Sequence, residues 1–259
     1  RNRTSPFAFT GNKFEFRGVG SSQSIATVNT MLNSILAIEM QKMSEAIEAG
    51  STPMDVIKCF MKEHRRIIFS GDGYSEAWEK EALARGLSNK KNSVDAFDVL
   101  KNKTMTDMLI DLGIYSQVEI DSRHEVLLEG YCKTIQVEAL TALKMAQSQI
   151  YPATIKSLKN ISETANSLSN NGVDNAFLVD DINTLSKLIS DLKIKINQLE
   201  KDIQTAQNTK ASIDIISRIW RDDVLKSMND LRTVVDVIET KVDGKDWPIP
   251  TYADLLFGV

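Results

Sequence analysis

The apolar positions change period near residue 24. Before it, residues 3–17 alternate: Phe7 and Phe9 fall on one strand face, Phe14 and Phe16 on another, and Gly11-Asn12 lies between the two runs. Alternation sends successive side chains to opposite faces, and glycine takes positive φ at little cost. The pattern therefore predicts two antiparallel strands joined by a tight turn. A lone two-stranded hairpin is marginal in water. These strands call for neighbours, and the chain offers few other strands.

From Ser24 onward the period is helical. Val28, Leu32, Ile35, Leu36, Met40, Met43 and Ile47 form a stripe that ends at Gly50. Thr52-Pro53 opens a second helix, since proline is tolerated in the first turn, with Val56, Ile57, Phe60 and Met61 as its apolar positions. Ser75 and Ser93 are cap candidates for helices reaching Gly86 and Gly113, while "QVEI" (117–120) is too short to assign. Helix resumes near Ser122 with a stripe of Leu128, Tyr131, Ile135, Ala139, Ala142 and Ala146, and Pro152 starts another helix. After the turn "SNNGVDN" comes the cleanest periodicity: Leu178, Ile182, Leu185, Ile189, Leu192, Ile196, Leu199 and Ile203, spaced alternately four and three apart. That is a sustained heptad stripe. A last long helix spans about residues 213–242, before an apolar tail, "DGKDWPIPTYADLLFGV".

The expected fold class is mainly α, with a short N-terminal β-hairpin followed by a multi-helix region of long packed helices. The expected division is 1–23 (hairpin), 24–150 (first helical part) and 151–259 (long-helix bundle and tail). With 259 residues the chain is long enough to bury a sizeable core. Its 42% hydrophobic and 25% charged content fit an ordinary soluble protein. A net charge of −4 argues against a nucleic-acid grip built on bulk charge. No apolar run approaches the roughly 20 residues that span a bilayer. Cys59 and Cys132 are far apart, which argues against a disulfide framework and for a reducing, cytoplasmic setting. His64 and His124 show no metal-ligand spacing, so zinc chemistry is not expected from them.

Lys13, Glu15 and Arg17, spaced two apart, share one strand face. Two readings stay open for them. One is the solvated outer face of an amphipathic strand, with Phe14 and Phe16 packed beneath. The other is a polyanion and metal site: a carboxylate offers hard oxygen to Mg²⁺ or Mn²⁺, and an arginine fork grips carboxylate or phosphate. Arg3 on the partner strand reaches the same space. The heptad stripe reads as a helix–helix seam and carries no chemistry. "SGDGYS" lacks the GK[ST] ending of a phosphate loop and reads as a turn.

"NRTSPFAFTGNKFEFR", followed by "VGSSQS", resembles the glutamine synthetase family, specifically its long type III members. Asn2-Arg3-Thr4 and Glu15-Phe16-Arg17 match the Asn-Arg-Ser and Glu-x-Arg strands of that family, and "HRRIIFSGDGYSEAW" and "WPIPTYADLLF" extend the likeness over the chain. Thr27-Val28-Asn29 departs from it by lacking a proline before the asparagine. The resemblance implies the C-terminal part of a longer protein, which the start at Arg1, without Met, suits. It implies the last strands of a catalytic sheet, and Glu15 as a metal ligand. Arg17 then binds the substrate glutamate, Arg3 lies near the transferred phosphoryl group, and Lys13 lies near ATP. It further implies Mg²⁺ or Mn²⁺ as cofactor, ammonia as second substrate, and a homo-oligomer, a dodecamer in the family. The competing expectation is a helical scaffold protein that assembles through its heptad stripe.

Overall fold

The computed structural model describes residues 7–9, 11, 13–18, 20, 23–69, 71–250 and 252–257, with 7–9, 252 and 253 described by backbone alone. Helix dominates, as the periodicity implies. Among the described residues strand is confined to β1 (Phe7–Phe9) and β2 (Phe14–Phe16), an antiparallel pair in the register Phe7↔Phe16, Ala8↔Glu15, Phe9↔Phe14. The connection spans residues 10–13, longer than the two-residue turn expected, and Gly11 has φ 99°. The chain divides into two compact units, residues 1–122 and 123–259.

The first unit holds the hairpin and short helices. α1 (Ala26–Glu48) and α2 (Pro53–Glu63) pack together, and α1 also meets α5 (Lys103–Asp111). Thr52 caps α2 by accepting from the Asp55 N–H. The stripe expected on α1 is only partly buried: Ile35, Leu36, Met40 and Ile47 remain exposed, and the buried residue of this helix is Ser34. Ser75 caps α3 (Glu76–Ala84) as the sequence suggests, its hydroxyl accepting from the Trp78 N–H. The helix expected over 93–113 is interrupted. Asn92, not Ser93, caps α4 (Ser93–Phe97), a 3₁₀ turn follows at Asp98–Lys101, and Asn102 then caps α5. Each asparagine side chain accepts from a backbone N–H three residues on, which restarts the helix within one stretch.

α6 (Gln117–Met145) starts five residues earlier than expected. Ser116 and Glu119 form a capping box: the Glu119 carboxylate accepts from the Ser116 N–H at 2.8 Å, and the Ser116 hydroxyl accepts from the Glu119 N–H at 3.4 Å. The "QVEI" stretch is thus the first turn of α6.

The second unit is built from three helical rods. α6 runs through a π-helical turn (Ala146–Ile150) into α7 (Tyr151–Asn170). Pro152 therefore does not start a separate helix. Proline lacks an N–H and its ring crowds the carbonyl four residues back; here the rod stays helical by widening its turn just upstream. The second rod is α8 (Ala176–Asn208). The third is α9 (Ile213–Ile219), a second π-helical turn (Trp220–Val224) and α10 (Leu225–Glu239). α8 lies against both α7 and α10. Its heptad positions Leu185, Ile189, Leu192, Ile196, Leu199 and Ile203 are buried, while Leu178 and Ile182 at its start are half-buried. Leu192, Ile196, Leu199 and Ile203 join Ile135 and Ala139 of α6 and Leu231, Val234 and Ile238 of α10 in one core, which the tail caps with Trp247. A short helix, α11 (Tyr252–Phe257), lies in the tail. Among the described residues no helix is long and apolar enough to cross a membrane.

Two outcomes follow from this core. Ile196→Ala should destabilise the chain by about 2–5 kcal/mol, because the deleted methyls leave a cavity between rods. Ile194→Ala, two residues away on an exposed face, should stay within roughly 0.5 kcal/mol. Urea unfolding of the pair reads the difference. Cys59 is exposed, whereas Cys132 is buried and burial pushes its thiol up to about 11. Since the thiolate is the nucleophile, iodoacetamide at pH 8 should alkylate Cys59 in the native chain and Cys132 only after denaturation, as read by peptide mass.

Candidate active site on the hairpin

β2 places Glu15 on the strand face opposite to Phe14 and Phe16, and the alternation continues to Lys13 and Arg17 on either side. The three ionisable residues do come together. Arg17 Nε and Nη2 both donate to Glu15 Oε2, at 3.0 and 2.6 Å, while Lys13 Nζ lies 4.0 Å from Glu15 Oε1. Both arginine donors converge on one carboxylate oxygen, so the guanidinium is oriented along the strand. Arg3 lies outside the described residues.

The burial pattern departs from a solvated charged face over packed phenylalanines at Glu15, Arg17 and the two phenylalanines, and agrees with it at Lys13. The Arg17 and Glu15 side chains are 13% and 29% exposed. Phe14 and Phe16 are 61% and 50% exposed. Glu15 and Arg17 are thus sheltered, while Lys13, at 67% exposure, and both phenylalanines are open to solvent. A guanidinium–carboxylate pair out of bulk water is stronger than one at the surface.

The remaining candidates resolve into structural roles. "SGDGYS" makes the turn that leads into α3: Asp72 Oδ1 accepts from the Tyr74 N–H at 3.0 Å, and the Ser75 hydroxyl donates to the Asp72 carbonyl at 2.9 Å. His64 terminates α2, tilts against Phe60, and sets Nε2 3.8 Å from Glu39 Oε2 on α1. His124 is buried on α6, with Nε2 3.8 Å from Asp214 Oδ1. Its place in the Ile120, His124, Leu128 series, each four apart, was the available signal for that burial.

One arrangement that sequence reasoning missed gathers around Arg85. Its Nη1 donates to the carbonyls of Arg66 and Ile68, at 3.2 and 3.0 Å, and its guanidinium lies over the Trp78 ring, which stacks on Phe69. Arg85 thereby holds two backbone carbonyls of "HRRIIFSGDGYSEAW", while Asp72 and Ser75 fix the turn that follows them. The partners lie 17 and 19 residues apart, beyond any local motif.

Comparison with known proteins bears on the same segments. Residues 52–169 match the family model of the glutamine synthetase C-terminal domain. The chain is 33% identical to the type-3 glutamine synthetase of Dictyostelium discoideum over 274 residues, covering 99% of this chain and 37% of that protein. It is 30% identical to the glutamine synthetases of Butyrivibrio fibrisolvens and of Bacteroides fragilis, covering 100% and 99% of this chain and 38% and 37% of theirs. The chain thus spans under two-fifths of the length of these relatives. With a matched domain model inside it and similarity running from end to end, the chain is similar to a C-terminal part of the type-3 glutamine synthetases.

Proposed function

We propose that this chain is the C-terminal portion of an ATP-dependent glutamate–ammonia ligase, and that its hairpin forms one wall of the active site. The observation that carries the reading is the sheltered Glu15–Arg17 pair, with Lys13 beside it at the solvent edge, on a strand whose phenylalanines are exposed. A two-stranded hairpin with open edges and uncovered phenylalanines is suited to a larger sheet with a further layer packed on it. The relatives' additional length is the source of those segments.

In the proposed reaction the γ-carboxylate of glutamate attacks the γ-phosphorus of ATP, giving γ-glutamyl phosphate and ADP. Ammonia then displaces phosphate and loses a proton to give glutamine. Stabilising charge on the transferring group and positioning the reactants supply most of the catalysis in such chemistry. Arg17 presents a planar fork that binds the substrate carboxylate through two parallel hydrogen bonds. Its present partner, Glu15, holds the fork in place. Lys13 stands at the more exposed edge, where a compact cation meets the phosphates of ATP. Arg3 is assigned to the transferred phosphoryl group on the strength of its Asn-Arg-Thr motif alone.

Glu15 suits one coordination position of Mg²⁺ or Mn²⁺, which supplies charge neutralisation at the phosphates when bound. A divalent ion of this kind takes about six oxygen ligands. The described hairpin carries no second carboxylate, so the 259 residues alone are not expected to make glutamine. In domain terms, residues 1–23 are assigned to the last strands of the catalytic sheet, 24–150 to its helical part and 151–259 to a C-terminal bundle. A cytoplasmic homo-oligomer, a dodecamer in the family's form, completes the proposal. Two cysteines without a disulfide suit such a compartment. The scaffold alternative loses its motive, because the heptad seam is occupied by rods of its own unit.

The test is steady-state kinetics on the full-length enzyme that contains this segment. Arg17→Lys keeps the charge and removes the fork. It should cost roughly 2–4 kcal/mol of transition-state stabilisation, about two to three decades in kcat/KM for glutamate. Glu15→Gln should instead raise the Mg²⁺ or Mn²⁺ concentration needed for half-maximal rate. Parent-like kinetics in both variants would return the face to a structural ion pair. The isolated 259 residues should show no ATP- and ammonia-dependent glutamine formation by amino-acid analysis.

A further inference from the structure

The second unit contains a cavity of about 850 Å³ between α6, α10 and the tail. Its volume lies inside the range that accommodates small molecules, about 300–1,000 Å³. The space exists because α6 presents Ala142 and Ala146 there, and Ala146 opens the π-helical turn. Methionines 145 and 228 line it as well, and their unbranched side chains adapt to varied shapes. The tail closes one side through Trp247, Ile249 and Pro250. Its approach is pinned: Lys156 Nζ lies 2.6 Å from Asp246 Oδ1, and the Trp247 backbone N–H donates to the Asp243 carbonyl at 3.0 Å.

Trp247 is nine-tenths buried, and its indole Nε1–H has no acceptor among the described residues. A buried tryptophan N–H usually finds a partner, and one without it is left in an unfavourable state. The charged residues around the cavity are Glu138, Arg232, Asp236 and Glu239, all exposed, and Arg232 is already paired with Asp236 at 3.5 Å. The mouth is therefore net acidic.

We propose that this cavity is a binding site for a small, mainly apolar molecule that carries a carbonyl-type hydrogen-bond acceptor and no negative charge. Apolar walls bury the body of the ligand, the Trp247 indole turns its buried N–H into the cavity to meet the ligand's acceptor, and the acidic mouth admits a neutral or cationic group. The site lies wholly within the second unit and owes nothing to the hairpin chemistry.

The test uses the full chain and three probes of matched size: 3-phenylpropanamide, L-phenylalaninamide and 3-phenylpropanoate. The chain has three tryptophans, so Trp247→Phe identifies the Trp247 indole resonance in a ¹H–¹⁵N spectrum. Both amides should shift that resonance in a saturable way, and the anionic propanoate should bind at least about tenfold more weakly, a discrimination of the size one charge or hydrogen bond provides. Ala142→Leu, which fills the cavity, should abolish binding. Trp247→Phe keeps an apolar ring and removes the donor, so it should weaken the amides by about tenfold when followed by isothermal titration. It also decides the matter should Ala142→Leu fail to fold. Absence of any indole shift up to the solubility limit, equal affinity for all three probes, or amide binding unchanged in Trp247→Phe would each overturn the proposal. So would concentration-dependent self-association that the amides reverse, which would make a second copy of the chain the occupant.

Discussion

The seam of α8 is the constraint on which the second unit depends. Six large aliphatic side chains, alternately four and three residues apart, put one face of a 33-residue helix out of water along most of its length. Each such burial is worth about 1.5–3 kcal/mol against exposure, and none is available unless both flanking rods are in place. α7 and α10 therefore have no independent choice of position. Small buried residues on α7, Thr154, Ser157 and Ala165, let that rod approach α8, while larger ones, Leu231, Val234 and Ile238, fill the other side. The tail covers what the packed rods leave open, with Trp247 as its contact.

The parts of this fold that a sequence makes legible are those decided within one or two turns. The heptads announce α8 because the repeat is long. Thr52 and Ser75 announce their helices because a cap is a contact between residues three apart. The same local chemistry went unread where two signals compete. Asn92 and Asn102 sit ten residues apart in a stretch with continuous apolar content, and the apolar pattern suggested one helix where the caps make two. At Ser116–Glu119 the capping box is present in the letters, but the four residues between Ser116 and Asp121 are too short a run to show a period. Pro152 marks the π-helical turn at Ala146–Ile150, whereas the one at Trp220–Val224 carries no proline or glycine to announce it.

The hairpin divides in the same way. Alternation sufficed to bring Lys13, Glu15 and Arg17 to one face, and the Glu-x-Arg spacing set the arginine fork on the carboxylate. Alternation is silent on which of two faces is sheltered, because a strand reads identically from either side. The default that charge faces water fails here at Glu15 and Arg17 and holds at Lys13.

The π-helical turn between α6 and α7 has a consequence for how this rod tolerates change in length. Each residue advances a helix by about 100°, so the extra residue held in a wide turn resets the azimuth of everything downstream. Thr154 and Ser157 point at α8 only because that offset has been made. Losing one residue from 146–150 would leave a straighter, better bonded helix whose far half faces the wrong way. The turn at 171–175 carries no such phase, and can lengthen or shorten while both rods keep their aim. Length variation in this unit is thus directional: free at the ends of the rods and locked at their middles, with the wide turn acting as a clocking pin between two stretches of one axle.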